Sequence, residues 1–255
     1  MSRLALALLT LSAATAAADP PTPQAIVEAA DHARNPQQPF RMMMTIVDYV
    51  HGKARDQVVL RIDAKVDDRS HQFKNLVRYV EPPRDAGKLV LLDASKMWFY
   101  DPASKTSVRI SPQQRLTGQA SDGDVLTVNL ARDYTAKLVG DETIKDADHA
   151  DRRTWHLDLT AATGDAMYAR LEYWVERDTF RAVKGKFYSD SGRLLKIAYY
   201  RKFQDVLGAV RPTETVIIDA VDPNLVTTVT SADLRAQDIP DAWFQRDYLP
   251  RASAE

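Results

Sequence analysis

The chain has 255 residues, 45% of them hydrophobic, with 34 Lys and Arg against 35 Asp and Glu and no Cys. That length buries a proper core in one large β domain or two small ones. Lack of cysteine excludes disulfide staples, thiolate metal sites, a Cys nucleophile and a lipid-modified N-terminal Cys, and a net charge of −1 gives no bulk attraction to nucleic acid or an anionic membrane surface.

Residues 1–18 read as a secretory signal peptide. Arg3 supplies the positive charge, Leu4 to Leu11 the short apolar run, and Ala16-Ala17-Ala18 the small residues before cleavage after Ala18. The apolar run is too short to span a membrane. Export without cysteines suits the Gram-negative periplasm better than a eukaryotic secreted module, which leans on disulfides. A single domain over 19–255 is expected, because no repeat, low-complexity stretch or linker divides the remainder.

A helix is predicted over 24–34, with Ile26, Ala29, Ala30 and Ala33 on one face, Thr22 capping before Pro23, and Asn35-Pro36 stopping it. From Phe40 onward the dominant period is two. Val58, Leu60, Ile62, Ala64 and Val66 alternate with Val59, Arg61, Asp63 and Lys65. The same pattern returns at Trp155, Leu157 and Leu159, at Leu171, Tyr173 and Val175, and at Leu195, Ile197 and Tyr199, the last set against Lys196, Ala198 and Tyr200. Turn signals recur at His51-Gly52-Lys53, Asp67-Asp68-Arg69, Pro82-Pro83-Arg84, Asp101-Pro102-Ala103, Asp190-Ser191-Gly192 and Asp222-Pro223-Asn224. About eleven strands follow from this pattern, broken by helical stretches at 122–133 and 240–247. The fold class predicted is mainly β with a few helices, built on one curved antiparallel sheet.

Three strands are apolar on both faces: Met42-Met43-Met44-Thr45-Ile46-Val47, Leu89-Val90-Leu91-Leu92 and Met97-Trp98-Phe99-Tyr100. Such a sheet must be covered on both sides, by a helix on one and by something else on the other. Clustered methionines adapt to varied apolar shapes, so two readings stand: a thick core beneath a helix, or a lined apolar cavity.

No catalytic constellation emerges. The five histidines, His32, His51, His71, His149 and His156, form no closely spaced ligand pair, so no metal site is expected. Neither a nucleophile elbow nor a phosphate-binding glycine loop is present. Ser121-Asp122-Gly123-Asp124 lacks the later acidic ligands of a calcium loop and reads as a capping turn. The acidic stretch with Asp141, Glu142, Asp146, Asp148 and Asp151 reads as a solvated hairpin. No enzyme activity and no cofactor are predicted.

Val77-Arg78-Tyr79-Val80-Glu81-Pro82-Pro83, Leu89-Val90-Leu91-Leu92-Asp93 and Lys96-Met97-Trp98-Phe99-Tyr100-Asp101-Pro102, in that order, resemble the outer-membrane lipoprotein-sorting (LolA-like) family. Ile239-Pro240-Asp241-Ala242-Trp243-Phe244 is similar to the tail of its longer members, and the likeness runs over about 25–250. The resemblance implies an incomplete β-barrel wrapped around short helices, with a cavity for acyl chains. It gives as candidate lining Met42, Met44 and Ile46 on one strand and Leu60 and Ile62 on the next. Leu89, Leu91, Met97 and Phe99 follow from the hairpin, and Val125, Leu126 and Leu130 from a movable helix. A basic residue at the cavity mouth is implied too, with Arg61, Arg69 and Arg78 as candidates. The function implied is a periplasmic carrier, expected to be monomeric, that binds a lipoprotein or other lipid and shuttles it toward the outer membrane from an inner-membrane permease. The alternative is an accessory module that docks on such an exporter through its edge strands and carries no cargo.

Overall fold

The structure, a computed structural model, describes residues 20–252 apart from 94, 95, 112–114, 122, 123, 125 and 165. The expected signal peptide and the candidate Val125 lie outside the described residues. Helix α1 (Pro23–Arg34) starts as its sequence dictates: the Thr22 hydroxyl accepts from the Ala25 N–H at 3.2 Å, and Pro23 occupies the first turn. It ends where the Asn35 N–H donates to the Asp31 carbonyl at 2.7 Å. Ile26, Val27 and Ala30 form its buried face.

Six strands follow as a meander: β1 (Phe40–Val50), β2 (Lys53–Val66), β3 (Phe73–Glu81), β4 (Leu89–Asp93), β5 (Lys96–Asp101) and β6 (Thr106–Ile110). A small separate hairpin, β7 (Arg115–Thr117) with β8 (Ala120–Ser121), and a one-turn helix α2 (Leu130–Asp133) lead to a second meander. This is β9 (Tyr134–Lys145), β10 (Asp151–Ala161), β11 (Arg170–Glu176), β12 (Ala182–Tyr188), β13 (Leu194–Val206), β14 (Ala209–Asp219) and β15 (Leu225–Ala236). The last strand returns to the first, with Met44 opposite Ser231. Both meanders thereby fuse into one thirteen-stranded antiparallel sheet, in the order β6-β5-β4-β3-β2-β1-β15-β14-β13-β12-β11-β10-β9. The sheet stays open, with β6 and β9 as its edges. Each of the six predicted turns joins consecutive strands. The β7–β8 hairpin is too short for periodicity to register.

One face of the sheet holds α1. Phe40, Met42, Met44 and Ile46 alternate inward along β1 beside Leu60 and Ile62 of β2, and they share one core with the helix. The Phe40 and Phe73 rings meet edge to face at 6.2 Å. The outer face of β3–β5 is apolar as well. Leu76, Leu89, Leu91 and Tyr100 are covered there by the C-terminal segment through Ile239, Phe244, Leu249 and Ala252. That segment runs as 3-10 turns over Asp241–Phe244 and Arg246–Tyr248 and then α3 (Leu249–Ala252). Of the two-sided apolar strands, β4 and β5 thus have two covers: the core shared with α1 on the inside, through Val90, Leu92 and Met97, and the C-terminal segment on the outside.

Two expectations differ in detail. On β13 the buried face is Lys196, Ala198 and Tyr200, while Leu195, Ile197 and Tyr199 are half-buried on the other. The period is right and the phase inverted, because a lysine with a buried partner sits inside. Of the helix expected over 122–133, only Leu130–Asp133 is α-helical among the described residues, with Asp124 in a 3-10 conformation. Side chains from elsewhere satisfy the backbone before it. Asn75 both donates to and accepts from Thr127 at 2.9 Å, Asn35 and Arg34 each donate to the Val128 carbonyl at 2.8 Å, and the Gln72 side chain accepts from the Asn129 N–H at 2.7 Å.

Candidate functional site

Between the inner face of the sheet and the cover made by the end of α1 and the 126–134 segment lies a cavity of about 390 Å³. β13 and β14 give its long wall: Ala198, Tyr200, Gln204 and Val206 on one strand, Ile217, Thr215 and Thr213 on the next. Period-two alternation turns these residues to one side. Phe40, Met42 and Met44 from β1 and Val229 and Leu234 from β15 complete one flank. Phe187, Leu171, Met167 and Tyr168 complete the other, and Leu126, Val128, Leu130 and Tyr134 form the roof. Apolar and aromatic side chains make up most of the lining, as in ligand sites, and a polar minority that includes Arg34, Asp124, Asp133, Lys196, Arg211 and Asp233 stands among them.

Of the candidates named from sequence, Met42, Met44, Leu126 and Leu130 line this cavity. Ile46, Leu60, Ile62 and Met97 lie in the core beside it, with Phe99 packed at its border. Leu89 and Leu91 occupy the opposite face, under the C-terminal segment. None of the three candidate mouth arginines lines the cavity. Arg61 pairs with Asp63 at 3.5 Å, the Arg78 guanidinium donates to the Ala252 carbonyl, and Arg69 is exposed in the β2–β3 turn.

Different cations reach the cavity wall. Arg211 donates to the carbonyls of His32 at 3.0 Å and Ala33 at 3.1 Å at the end of α1, and also to Val206 at 3.1 Å. A cation on the last carbonyls of a helix opposes the negative end of its dipole, and burial pulls the Arg211 pKa below the usual arginine value. Arg34 pairs with Asp31 at 3.0 Å, and the Asp31 carboxylate also accepts from the Ala131 N–H at 2.8 Å. Burial nevertheless pushes Asp31 above the ordinary carboxylate value.

Lys196 is the third cation, only 4% exposed. Its ammonium pairs with Asp124, lies 3.3 Å from the Ser121 hydroxyl and 4.9 Å from the centre of the Tyr168 ring. Asp124 also accepts from the Tyr168 hydroxyl at 2.8 Å and from the Ser121 N–H at 2.7 Å. Burial, reinforced by the Asp124 charge, holds the Tyr168 hydroxyl well above the ordinary tyrosine range, so it donates. Sequence reasoning missed this cluster: Asp124 looked like a turn residue, and Lys196 occupied a polar alternation slot. Among the described residues no cluster of His, Cys, Asp or Glu has the geometry of a metal site.

An open, curved antiparallel sheet folded around a helix and an apolar cavity defines the class of protein. A family profile described as an uncharacterized protein matches residues 71–251. Among solved structures, a LolA superfamily protein from Nitrosomonas europaea is 32% identical, with 90% of this chain and 100% of that chain covered and a TM-score of 0.80. A putative outer membrane lipoprotein-sorting protein domain from Vibrio parahaemolyticus is 18% identical, covering 89% and 98% of the two chains at a TM-score of 0.73. A DUF1329 family protein from Desulfovibrio piger, 20% identical over 90% and 100%, superposes at 0.74. The last two speak for the fold alone. No curated protein matches. The chain belongs to the LolA superfamily.

Proposed function

We propose that the protein is a periplasmic carrier that binds acyl chains, of a lipoprotein or another lipid, in the cavity between β13–β14 and the 126–134 cover, and shuttles them toward the outer membrane. The observation that carries this reading is the cavity itself: about 390 Å³ and mostly apolar, between the inner face of the sheet and the 126–134 cover. Burying acyl chain gains ~0.8 kcal/mol per CH₂, so a chain of ordinary length held there is protected from water. Release needs an opening, and the 126–134 roof, held largely by side-chain hydrogen bonds rather than by helix, suits that role.

The protein acts by binding, not catalysis, and works as a monomer. The expected signal peptide places it in the periplasm, and among the described residues no helix is long and apolar enough to cross a membrane. An inner-membrane permease is the natural donor. A docking module without cargo has no use for the cavity.

The test is titration with a fluorescent fatty acid, before and after the cavity is filled. Ala198, on the long wall opposite Ile217, becomes Trp. Overpacking costs roughly 1–3 kcal/mol, which leaves the fold checkable by circular dichroism. Saturable uptake by the parent protein and loss of uptake in a folded Ala198→Trp variant are expected. Uptake unchanged by the filled cavity contradicts the assignment.

A further inference from the structure

A second pocket, of about 310 Å³, lies against the first. It is lined by Gln119, Ser121, Arg193 and Asp219 together with Leu194 and Leu195. Tyr168 and Lys196 belong to the linings of both pockets. The buried ammonium therefore stands where an apolar cavity meets a polar vestibule, which is where the headgroup of an amphiphile comes to rest when its chain fills the apolar side.

What now occupies the ammonium is informative. The Asp124 carboxylate is gripped by Lys196, by the Tyr168 hydroxyl at 2.8 Å and by the Ser121 N–H at 2.7 Å. Three donors converge on one anion, two of them from side chains that line the apolar cavity. Charge-assisted donors of this kind recognise carboxylate and phosphate oxygens in general, not one aspartate in particular.

We propose that the Lys196–Tyr168–Ser121 cluster is the headgroup site for a single-chain amphiphile bearing a carboxylate or phosphate, and that Asp124 is its built-in stand-in. This rests on the acyl-carrier reading above and narrows it to a ligand class. Exchange of one anion for another leaves the Lys196 charge compensated throughout. A neutral amphiphile has no such exchange: it either stops short of the pair or leaves a buried charge alone, which is costly. Asp124, tethered to the same chain, competes at high effective concentration. Wild-type affinity is therefore held down, and the cargo remains releasable. The volume of the apolar side, about 390 Å³, lies near the lower end for ligand pockets and fits one chain rather than several.

The experiment measures displacement of a bound fluorescent fatty acid by palmitate, methyl palmitate and lysophosphatidic acid, with butyrate and inorganic phosphate as headgroup-only probes. The two long-chain anions are expected to bind about tenfold or more tightly than methyl palmitate, and the headgroup-only probes not to compete. Asp124→Asn, which removes the competitor, is expected to strengthen palmitate binding and widen its advantage over the ester. Asp124→Asn/Lys196→Gln is expected to collapse that advantage toward one. Tyr168→Phe keeps the ion pair intact and guards against misfolding of the charge variants; added to Asp124→Asn, where the hydroxyl no longer holds the competing carboxylate, it is expected to lower palmitate affinity a few-fold relative to Asp124→Asn alone. Equal binding of palmitate and methyl palmitate, indifferent to these substitutions, overturns the headgroup site and leaves the carrier reading standing. Binding of neither overturns both. Competition by phosphate or butyrate alone overturns the amphiphile assignment in favour of a small-anion site.

Discussion

Asp67 shows how one side chain fixes a turn and makes stability depend on pH. It accepts from the Arg69 and Ser70 N–H groups at 3.1 and 2.9 Å and pairs with Lys74 at 2.6 Å, which ties the β2–β3 turn to the start of β3. The Lys74 contact, with the turn N–H groups, holds its pKa well below the ordinary 3.8. A depressed carboxylate pKa stabilises the fold above the unfolded value, and that contribution is lost as pH falls through the folded one. Chemical denaturation at pH 7 and again below pH 3.8 should therefore show a smaller acid loss in Asp67→Asn than in the parent. An equal loss in both would assign the acid sensitivity elsewhere. Gly118 fixes a turn for the opposite reason, its lack of a side chain. Its φ is +51°, and an added Cβ would press on the Asp48 carboxylate and the Thr227 hydroxyl. The same Thr227 hydroxyl accepts from the Gln119 N–H at 2.8 Å, so this is where the β7–β8 hairpin seats on β1 and β15. Gly118→Ala is expected to cost about 1–2 kcal/mol, measured by urea unfolding.

Two elements cover the sheet, and each has its own fasteners. On the inside, α1 is held at its end by Arg211 and at its start by Gln24. The Gln24 amide donates to the Ala131 carbonyl at 2.8 Å and accepts from the Ala136 N–H at 3.0 Å. Helix and cavity roof are therefore tied into one cover. Replacing Arg211 by Met frees the His32 and Ala33 carbonyls and is expected to raise amide exchange across the last turn of α1 and to speed release of a bound fluorescent fatty acid. Unchanged exchange there would show that packing alone holds the helix. On the outside, the C-terminal segment is fastened by Lys65 to Asp241 at 2.9 Å and by the Arg246 guanidinium over the Trp98 ring at 4.4 Å. Leu89 packs under this segment, away from the cavity. Leu89→Ala is expected to cost about 2–5 kcal/mol of stability while leaving fatty-acid affinity unaltered in the folded fraction. A loss of affinity proportionate to that of cavity variants would contradict the separation of the two faces.

For the molecule as a whole, what could be read from sequence followed the strength of the local signal. The cap at Thr22, the stop at Asn35, the six turns and the alternation along β2, β10 and β11 are local, and the sequence states them directly. The two-sided apolar strands announced a second cover, and the LolA-like motifs at 77–102 announced the open sheet. Long-range polar pairing left no such trace. Lys196 and Asp124 are 72 residues apart, so neither the inverted phase of β13 nor the cluster at the cavity end follows from periodicity. The same is true of Asn75, which straightens the backbone at Thr127 from 52 residues away. Leu89 and Leu91 satisfied every sequence criterion for a cavity wall, because alternation identifies two faces of a strand without saying which cover lies over each.

The central claim is that this sheet carries an acyl chain, and native mass spectrometry of the protein released from its own cell envelope, followed by lipid extraction, tests it most directly. The account predicts a non-covalent adduct of single acyl-lipid mass with an acidic headgroup, lost when Ala198 is replaced by Trp. A bare protein mass, with no uptake of added long-chain lipid, would contradict it.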